Sequence, residues 1–339
     1  MVKIDYAVLP KGSLVLVTGA NGFVASHLID QLLELGYKVR GAARSQAKVD
    51  KHQKRWDNLY PERFEFVEVA DIVKPGAYDD AIKGVDGIAH VASNLTLSPN
   101  FDEVVGDAVQ GTLNALRAAA KTPSVKRFVL TSSVLAVGRG ENGQGEVLGE
   151  KDFNREAIEK ARSLPDDAPQ KGSLVYAASK TLAELEAWSF VEENKPSFVL
   201  NVVNPAVCVG ESLIGEAEST AGMFQGLYLS QSTAIFSLAS TFSIVHVSDI
   251  ARLHIGGLLL PDLKGKRLIA TPHPVNWVDV LDIFRKLDPN KEFYENPKNA
   301  TKAIRSYESN PALEVLKRLG RDDWVSLEDS LRDTVAAVA

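Results

Sequence analysis

The chain has 339 residues, 45% apolar and 24% charged, with a formal net charge of −6 and a single cysteine, Cys208. That length suits two small domains or one large α/β domain with an appendage, and the composition is that of a soluble globular protein. The acidic balance argues against general affinity for nucleic acid or anionic membranes, a lone thiol excludes an intrachain disulfide and a cysteine metal cluster, and no apolar run is long enough to span a bilayer.

The segment Met1–Lys11 lacks the long apolar core of a signal peptide, and cysteine poverty suits a reducing compartment, so the expected location is cytoplasmic.

In chain order, Leu14–Val17 reads as a short buried strand, Gly19 and Gly22 punctuate a tight turn, and helical spacing runs over Phe23–Leu35. Strands follow at Lys38–Ala42, Phe64–Val69, Gly87–His90, Phe128–Thr131 and Val199–Val203. Helical patterns lie between them at Gln46–Leu59, Val104–Lys121 and Leu174–Glu193, with exposed loops at Gly138–Gly149 and Pro165–Gly172. Strands separated by helices imply βαβ units, and right-handed crossovers would cover both faces. The expected fold is therefore α/β, a Rossmann-type doubly wound parallel sheet with a smaller C-terminal substrate lobe.

After Pro205 the alternation loosens. Residues 211–242 read as substrate-side loops and helices, Phe242–Val247 as a strand returning to the sheet, and Asp279–Leu287 and Leu313–Leu319 as helices, the last stopped by Gly320. The division predicted is a dinucleotide-binding domain over 1–206, with 241–270 returning to it, and a substrate lobe from 207–240 and 271–339.

The glycine turn sits in the strand–turn–helix context of a dinucleotide fingerprint. Gly19 permits the sharp turn, Gly22 lets backbone N–H groups approach a pyrophosphate, and Ala25 allows close helix–strand packing. Asn21, Phe23 and Val24 complete the turn into the helix, whose N-terminus favours an anion. A NAD-selective site places an acid about 20 residues beyond the glycines. Here Arg40-Gly-Ala-Ala-Arg44 contains no carboxylate, and Arg44 and Lys48 follow, four apart and able to share a helical face. Two cations suit a ribose phosphate, which points to NADPH. Asp71 and Ile72 follow the third strand, where adenine would lie, and Ala92 and Ser93 follow the fourth beside the cofactor groove.

Tyr176 and Lys180 lie four apart on one side of a helix. A free phenol ionises near about 10, and a neighbouring ammonium favours the phenolate. Lys180 is also placed to hydrogen-bond the nicotinamide ribose. Ser133 ends a strand upstream, where its hydroxyl would orient a substrate carbonyl while Tyr176 donates the proton; Ser132 is its competitor. Tyr-x-x-x-Lys alone is frequent on helix surfaces, but its conjunction with the nucleotide turn and the strand-end serine is not. Asn114 reads as a packing or hydrogen-bonding residue.

These segments, Val17-Thr-Gly-Ala-Asn-Gly-Phe23, Ala43-Arg-Ser45, Thr131-Ser-Ser133, Tyr176-Ala-Ala-Ser-Lys180 and Asn204-Pro205, resemble those of the extended short-chain dehydrogenases/reductases. The likeness is greatest to fungal NADPH-dependent aldehyde/ketone reductases of the yeast methylglyoxal reductase and red-yeast carbonyl reductase type. It is more distant to dihydroflavonol and cinnamoyl-CoA reductases. The resemblance spans nearly the whole chain and implies hydride transfer from NADPH to a small-molecule carbonyl. It further implies that Thr131 borders the cofactor and that Pro205, Val207 and Cys208 line the nicotinamide end.

Asn94, Leu95, Val134, Phe224, Phe236 and Phe242 are candidates for a largely apolar substrate pocket, although core packing explains each aromatic more economically. No metal site is expected. Two other functions remain open: a nucleotide-sugar epimerase/dehydratase, and a nonenzymatic NADP-binding regulator. The first would need diphosphate-binding cations in the C-terminal part, for which Arg252, Lys264, Lys266 and Arg267 are candidates that surface solvation also explains.

Overall fold

A strand buried on both faces reads as an unbroken apolar run, and Leu14–Thr18 (β1) does, with Val15, Leu16 and Val17 all buried. The computed structural model describes residues 4, 6–93, 96–138, 147–214, 219–237, 239–298 and 306–339. After β1 come α1 (Phe23–Glu34), β2 (Lys38–Ala43), α2 (Asp50–Leu59), β3 (Phe64–Glu68), β4 (Gly87–His90), α3 (Phe101–Ala120) and β5 (Arg127–Thr131). The middle holds β6 (Val147–Leu148), α4 (Arg155–Ser163), α5 (Lys171–Asn194), β7 (Val199–Pro205), β8 (Val207–Val209) and α6 (Ser219–Tyr228). Then follow β9 (Thr241–His246), α7 (Val247–Leu259), β10 (Arg267–Ala270), β11 (His273–Asn276), α8 (Trp277–Leu287), β12 (Ser306–Tyr307), α9 (Asn310–Arg318) and α10 (Leu327–Val335).

Seven strands form one parallel sheet in the order β10-β7-β5-β4-β1-β2-β3. The order reverses between β1 and β4, so a crevice opens at their carboxyl ends, where such sheets bind ligands. Side-chain alternation splits the core in two. Val15, Val17, Val39 and Val129 point to the face covered by α1, α7 and α9. Leu16, Ile88, Phe128 and Leu130 point to the face packed with Ala115, Leu116 and Ala119 of α3 and Ala187 of α5.

Three sequence expectations need correction. A strand does form at Thr241–His246, but it pairs with β8 and β11 in a separate three-stranded sheet, and β10 makes the return to the central sheet. The helix expected at Gln46–Leu59 is broken: a 3₁₀ turn spans Gln46–Lys48 and α2 begins at Asp50. Ser45, extended at φ −162° and ψ 156°, separates Arg44 from that turn, so Arg44 and Lys48 do not share a helical face.

The helix α5 owes its placement to small residues. Ala177, Ala178, Ser179, Ala183 and Ala187 are all buried, which lets α3 and α4 approach it closely. Phe128 is fully buried on the α3/α5 face, its ring 5.6 Å from that of Phe198. Phe128→Ala should therefore destabilise the fold by about 3–5 kcal/mol, read as a lower midpoint in chemical denaturation.

Candidate active site

The crevice begins at the β1–α1 turn. Gly19 has φ +70°, and a Cβ there would stand 3.1 Å from the Ala92 Cα, so the turn and the end of β4 touch backbone to backbone. Gly22 is the N-cap of α1 and provides no capping side chain. The first-turn N–H groups of Phe23 and Val24 are thus left for an anion. A Cβ on Gly22 would press to 3.0 Å from the Gly19 carbonyl oxygen. Asn21 borders this turn and is half-buried.

Thr18 ties the reversal point together. Its Oγ1 accepts from Val91 N and Ala92 N, both at 3.0 Å, leaving its own hydrogen for His90 Nδ1 at 3.1 Å. Burial, aided by the Lys180 charge, pushes the His90 pKa down to about 3. Ala92, Ser93, Ile72, Thr131, Ser132 and Lys180 line the groove that continues from this point. Asp71 is exposed and accepts from Val73 N (2.9 Å), so its carboxylate stabilises the local turn. Asn114 donates to the carbonyls of Ile72, Val73 and Lys74, which holds Ile72 at the groove. Arg44 and Lys48 are both exposed, and among the described residues their side chains make no hydrogen bond or ion pair. The uncapped helix end, the close-packed glycines and these two free cations fit a phosphorylated dinucleotide.

The second part of the site is built where β5 ends against α5. Ser132 turns inward and donates to Glu184 Oε2 at 2.6 Å. Ser133 is engaged differently: it caps a short 3₁₀ turn by accepting from Leu135 N (3.2 Å), and its hydroxyl is near enough to the Tyr176 phenol to draw that group's pKa down. Ser132 is thus committed to Glu184, while Ser133 is the serine whose hydroxyl influences Tyr176. One helical turn on, Lys180 donates to the Thr131 carbonyl at 3.3 Å and lies 6.0 Å from the Tyr176 ring centre. The Thr131 hydroxyl is engaged by His254 Nε2 at 2.7 Å, while His254 Nδ1 meets the Ile250 carbonyl at 2.8 Å.

Burial dominates the electrostatics. It pushes the Tyr176 phenol up to about 12, with the Ser133 hydroxyl opposing and the nearby Cys208 reinforcing the rise. The anticipated lowering of this phenol by Lys180 is absent among the described residues: desolvation wins, and Tyr176 is held protonated. Lys180 itself is brought down to about 8 by burial, with the Glu184 charge pulling it back up.

Glu184 was not singled out from the sequence; Asn204 entered only through the Asn204-Pro205 motif, and Arg267 only as a candidate diphosphate-binding cation. Glu184 is 0% exposed and accepts from Ser132, from Asn204 Nδ2 (2.9 Å), from Trp188 Nε1 (3.4 Å) and from Arg267 Nε (2.5 Å). Its signal was available: it continues the Tyr176–Lys180 spacing by one more turn. Arg267 was read as a solvated surface cation, yet it is buried in β10 and stacks 4.0 Å over Phe153, and Arg252 is buried too; Lys264 and Lys266 are exposed.

The expected pocket residues are scattered. Phe224 is fully buried in a core of the C-terminal part, with Phe242 and Phe236 packed on Trp277 at ring separations of 4.4 and 5.3 Å. Core packing accounts for all three. Val134 directly follows Ser133 and is half-buried, as are Val207 and Cys208, while Pro205 is buried at the end of β7. Asn94 and Leu95 lie outside the described residues.

Residues 15–262 match the NAD dependent epimerase/dehydratase family, and the chain belongs to that family. It is 51% identical over 340 residues to aldehyde reductase 2 of Sporidiobolus salmonicolor, covering 99% of each chain. It is 35% identical over 347 residues to a ketoreductase of Penicillium rubens, again covering 99% of each. The crystal structure of yeast methylglyoxal/isovaleraldehyde reductase complexed with NADPH is similar at a TM-score of 0.80 and 26% identity, covering 96% of this chain and 98% of that one.

Desolvation also pushes the Cys208 thiol up to about 12. At pH 8 its thiolate fraction should fall on the order of a thousandfold below that of free cysteine. Modification by Ellman's reagent is expected to be slower by a comparable factor.

Proposed function

We propose that the chain is a cytoplasmic NADPH-dependent reductase that transfers hydride to the carbonyl of small ketones, ketoesters or aldehydes, giving the alcohol. The observation that most supports this reading is the Tyr176 phenol near the Ser133 hydroxyl, one helical turn from Lys180, which lines the groove at the strand reversal. Named relatives with reductase activity, one of them solved with NADPH, support the same class.

The glycine turn would hold the pyrophosphate, Arg44 and Lys48 the ribose phosphate, and Lys180 the nicotinamide ribose. When bound, the reduced nicotinamide supplies the hydride. Ser133 orients the carbonyl oxygen, and Tyr176 gives it a proton as negative charge develops there. A proton donor must be protonated at working pH, and the burial that lifts the Tyr176 pKa ensures this. The Lys180 ammonium then stabilises the phenolate left behind.

A nucleotide-sugar epimerase fits less well. The diphosphate would need free cations, but Arg267 is paired with Glu184 and Arg252 is buried beside Asp249 and Arg321. A nonenzymatic NADP-binding regulator would have no use for Ser133 on Tyr176.

Loss of NADPH absorbance across diketones, ketoesters, aldehydes and aryl ketones, with chiral analysis of the products, tests the reading; cofactor binding without consumption over the whole panel would refute it. In Tyr176→Phe, turnover should fall by about 10²–10⁴-fold while the NADPH Kd stays within a factor of a few. Unchanged turnover would remove the proposed acid. Arg44→Ala should raise the Kd for NADPH about tenfold more than that for NADH, since only the former has the extra phosphate. Equal losses in a fluorescence titration would reject the phosphate assignment.

A further inference from the structure

Four elements meet on one carboxylate. Glu184 stands on α5 one turn after Lys180 and two after Tyr176, and its two oxygens receive donors from separate strands. From β5 comes the Ser132 hydroxyl, from β7 the Asn204 amide, and from β10 the Arg267 guanidinium. Asn204 is shared: its Nδ2 also reaches the Ser133 carbonyl oxygen at 3.2 Å. Arg267 extends the tie outward, donating from Nη1 to the carbonyls of Glu150 (2.8 Å) and Asp152 (2.6 Å).

The geometry points to Glu184 as a positioning residue for carbonyl reduction: through Ser132 and Asn204 it fixes the Ser133 turn against α5. The inference rests on the reductase reading and goes beyond it, since Glu184 touches neither Ser133 nor Tyr176 directly.

Two consequences separate this role from mere packing. The first is mechanical. Ser133 and Tyr176 come from different elements, and Ser132 and Asn204 join the strand ends to the helix beneath them. Loosening that joint should lower kcat more than it alters cofactor affinity, because Gly19, Arg44 and Lys48 lie on other elements.

The second is electrostatic. The groups that face Lys180 are Glu184 and Tyr176 from its own helix, the Thr131 carbonyl from β5, and the neutral His90 from β4. Glu184 is the one anion named among them. Without it, Lys180 gives up its proton at lower pH. Burial has already brought the Lys180 pKa down to about 8, and Glu184 offsets part of that fall, so removing the anion moves the loss of the ammonium to still lower pH.

The test compares wild type with Glu184→Gln. We expect kcat to fall at least tenfold with the NADPH Kd changed less than threefold. The alkaline limb of kcat should move down by about one pH unit. Acetic anhydride labelling of Lys180, followed by mass spectrometry across pH, should show its midpoint moving down from about 8 by the same amount. A folded variant with unchanged kcat, limb and labelling midpoint overturns the inference. Should Glu184→Gln fail to fold, Ser132→Ala removes one oxygen and leaves the ion pair intact. It should lower kcat three- to tenfold without moving the labelling midpoint, and an unchanged kcat there overturns the positioning role. Wild type that binds NADPH yet reduces no carbonyl defeats the reductase reading instead, and the labelling shift still reads the coupling of Glu184 to Lys180.

Discussion

Placing Lys180 and Glu184 one turn apart on a buried face of α5 constrains everything around them. A charge inside a protein is tolerated only when it is paired and its remaining hydrogen-bonding capacity is met. Lys180 needs an acceptor, found in the Thr131 carbonyl; Glu184 needs several donors, found in Ser132, Asn204 and Arg267. Those partners sit at the ends of three neighbouring strands, so the order β10-β7-β5 in the sheet is what allows one carboxylate to reach them all. Removing one member of such a pair leaves a stranded charge, at about 3–5 kcal/mol. That is a large part of the 5–15 kcal/mol that typically holds a domain folded.

The same desolvation sorts the site into charged and neutral groups. His90 and His254 are pushed down to about 3 and about 4, and Tyr176 and Cys208 each up to about 12. All four are therefore neutral at physiological pH. The histidines have tautomers set by threonines: Thr18 gives its hydrogen to His90, and His254, with Nδ1 on the Ile250 carbonyl, receives that of Thr131. In such surroundings burial, and not the Lys180 charge, decides the protonation state of the Tyr176 phenol.

What could be read from the chain follows from how each element is buried. The parallel strands are covered on both faces, so β1, β4, β5 and β7 appear as apolar runs, and α1 shows helical spacing because one side of it is wet. Helix α7 is buried along nearly its whole length, so Val247–Leu259 has no polar face and passed unrecognised. Helix α4 is short and mostly exposed, with only Ala157 and Ala161 buried, too little for a periodic signal. At the site, Gly19, Ser133, Tyr176 and Lys180 were legible because their spacing reflects local geometry. Arg267 was not, because its partner lies 83 residues away and nothing nearby marks it as buried. The pocket aromatics failed for the converse reason: residue type alone does not distinguish a wall from a core, and Phe224, Phe236 and Phe242 gather on Trp277.

That last arrangement separates chemistry from recognition. Ser133, Tyr176 and Lys180 are fixed by β5, β7 and the ion pair behind them, all anchored in the seven-stranded sheet. The aromatic cluster around Trp277 has its own core, with Val209, Ile244, Leu281 and Phe284. Val207 and Cys208 on β8 belong to the three-stranded sheet, and they follow the end of β7 in the central sheet after the single residue Ala206. Cys208 lies near the Tyr176 phenol. A change of side-chain bulk on β8 therefore reaches Tyr176 by a short route, while Tyr176 keeps the support that α5 gives it.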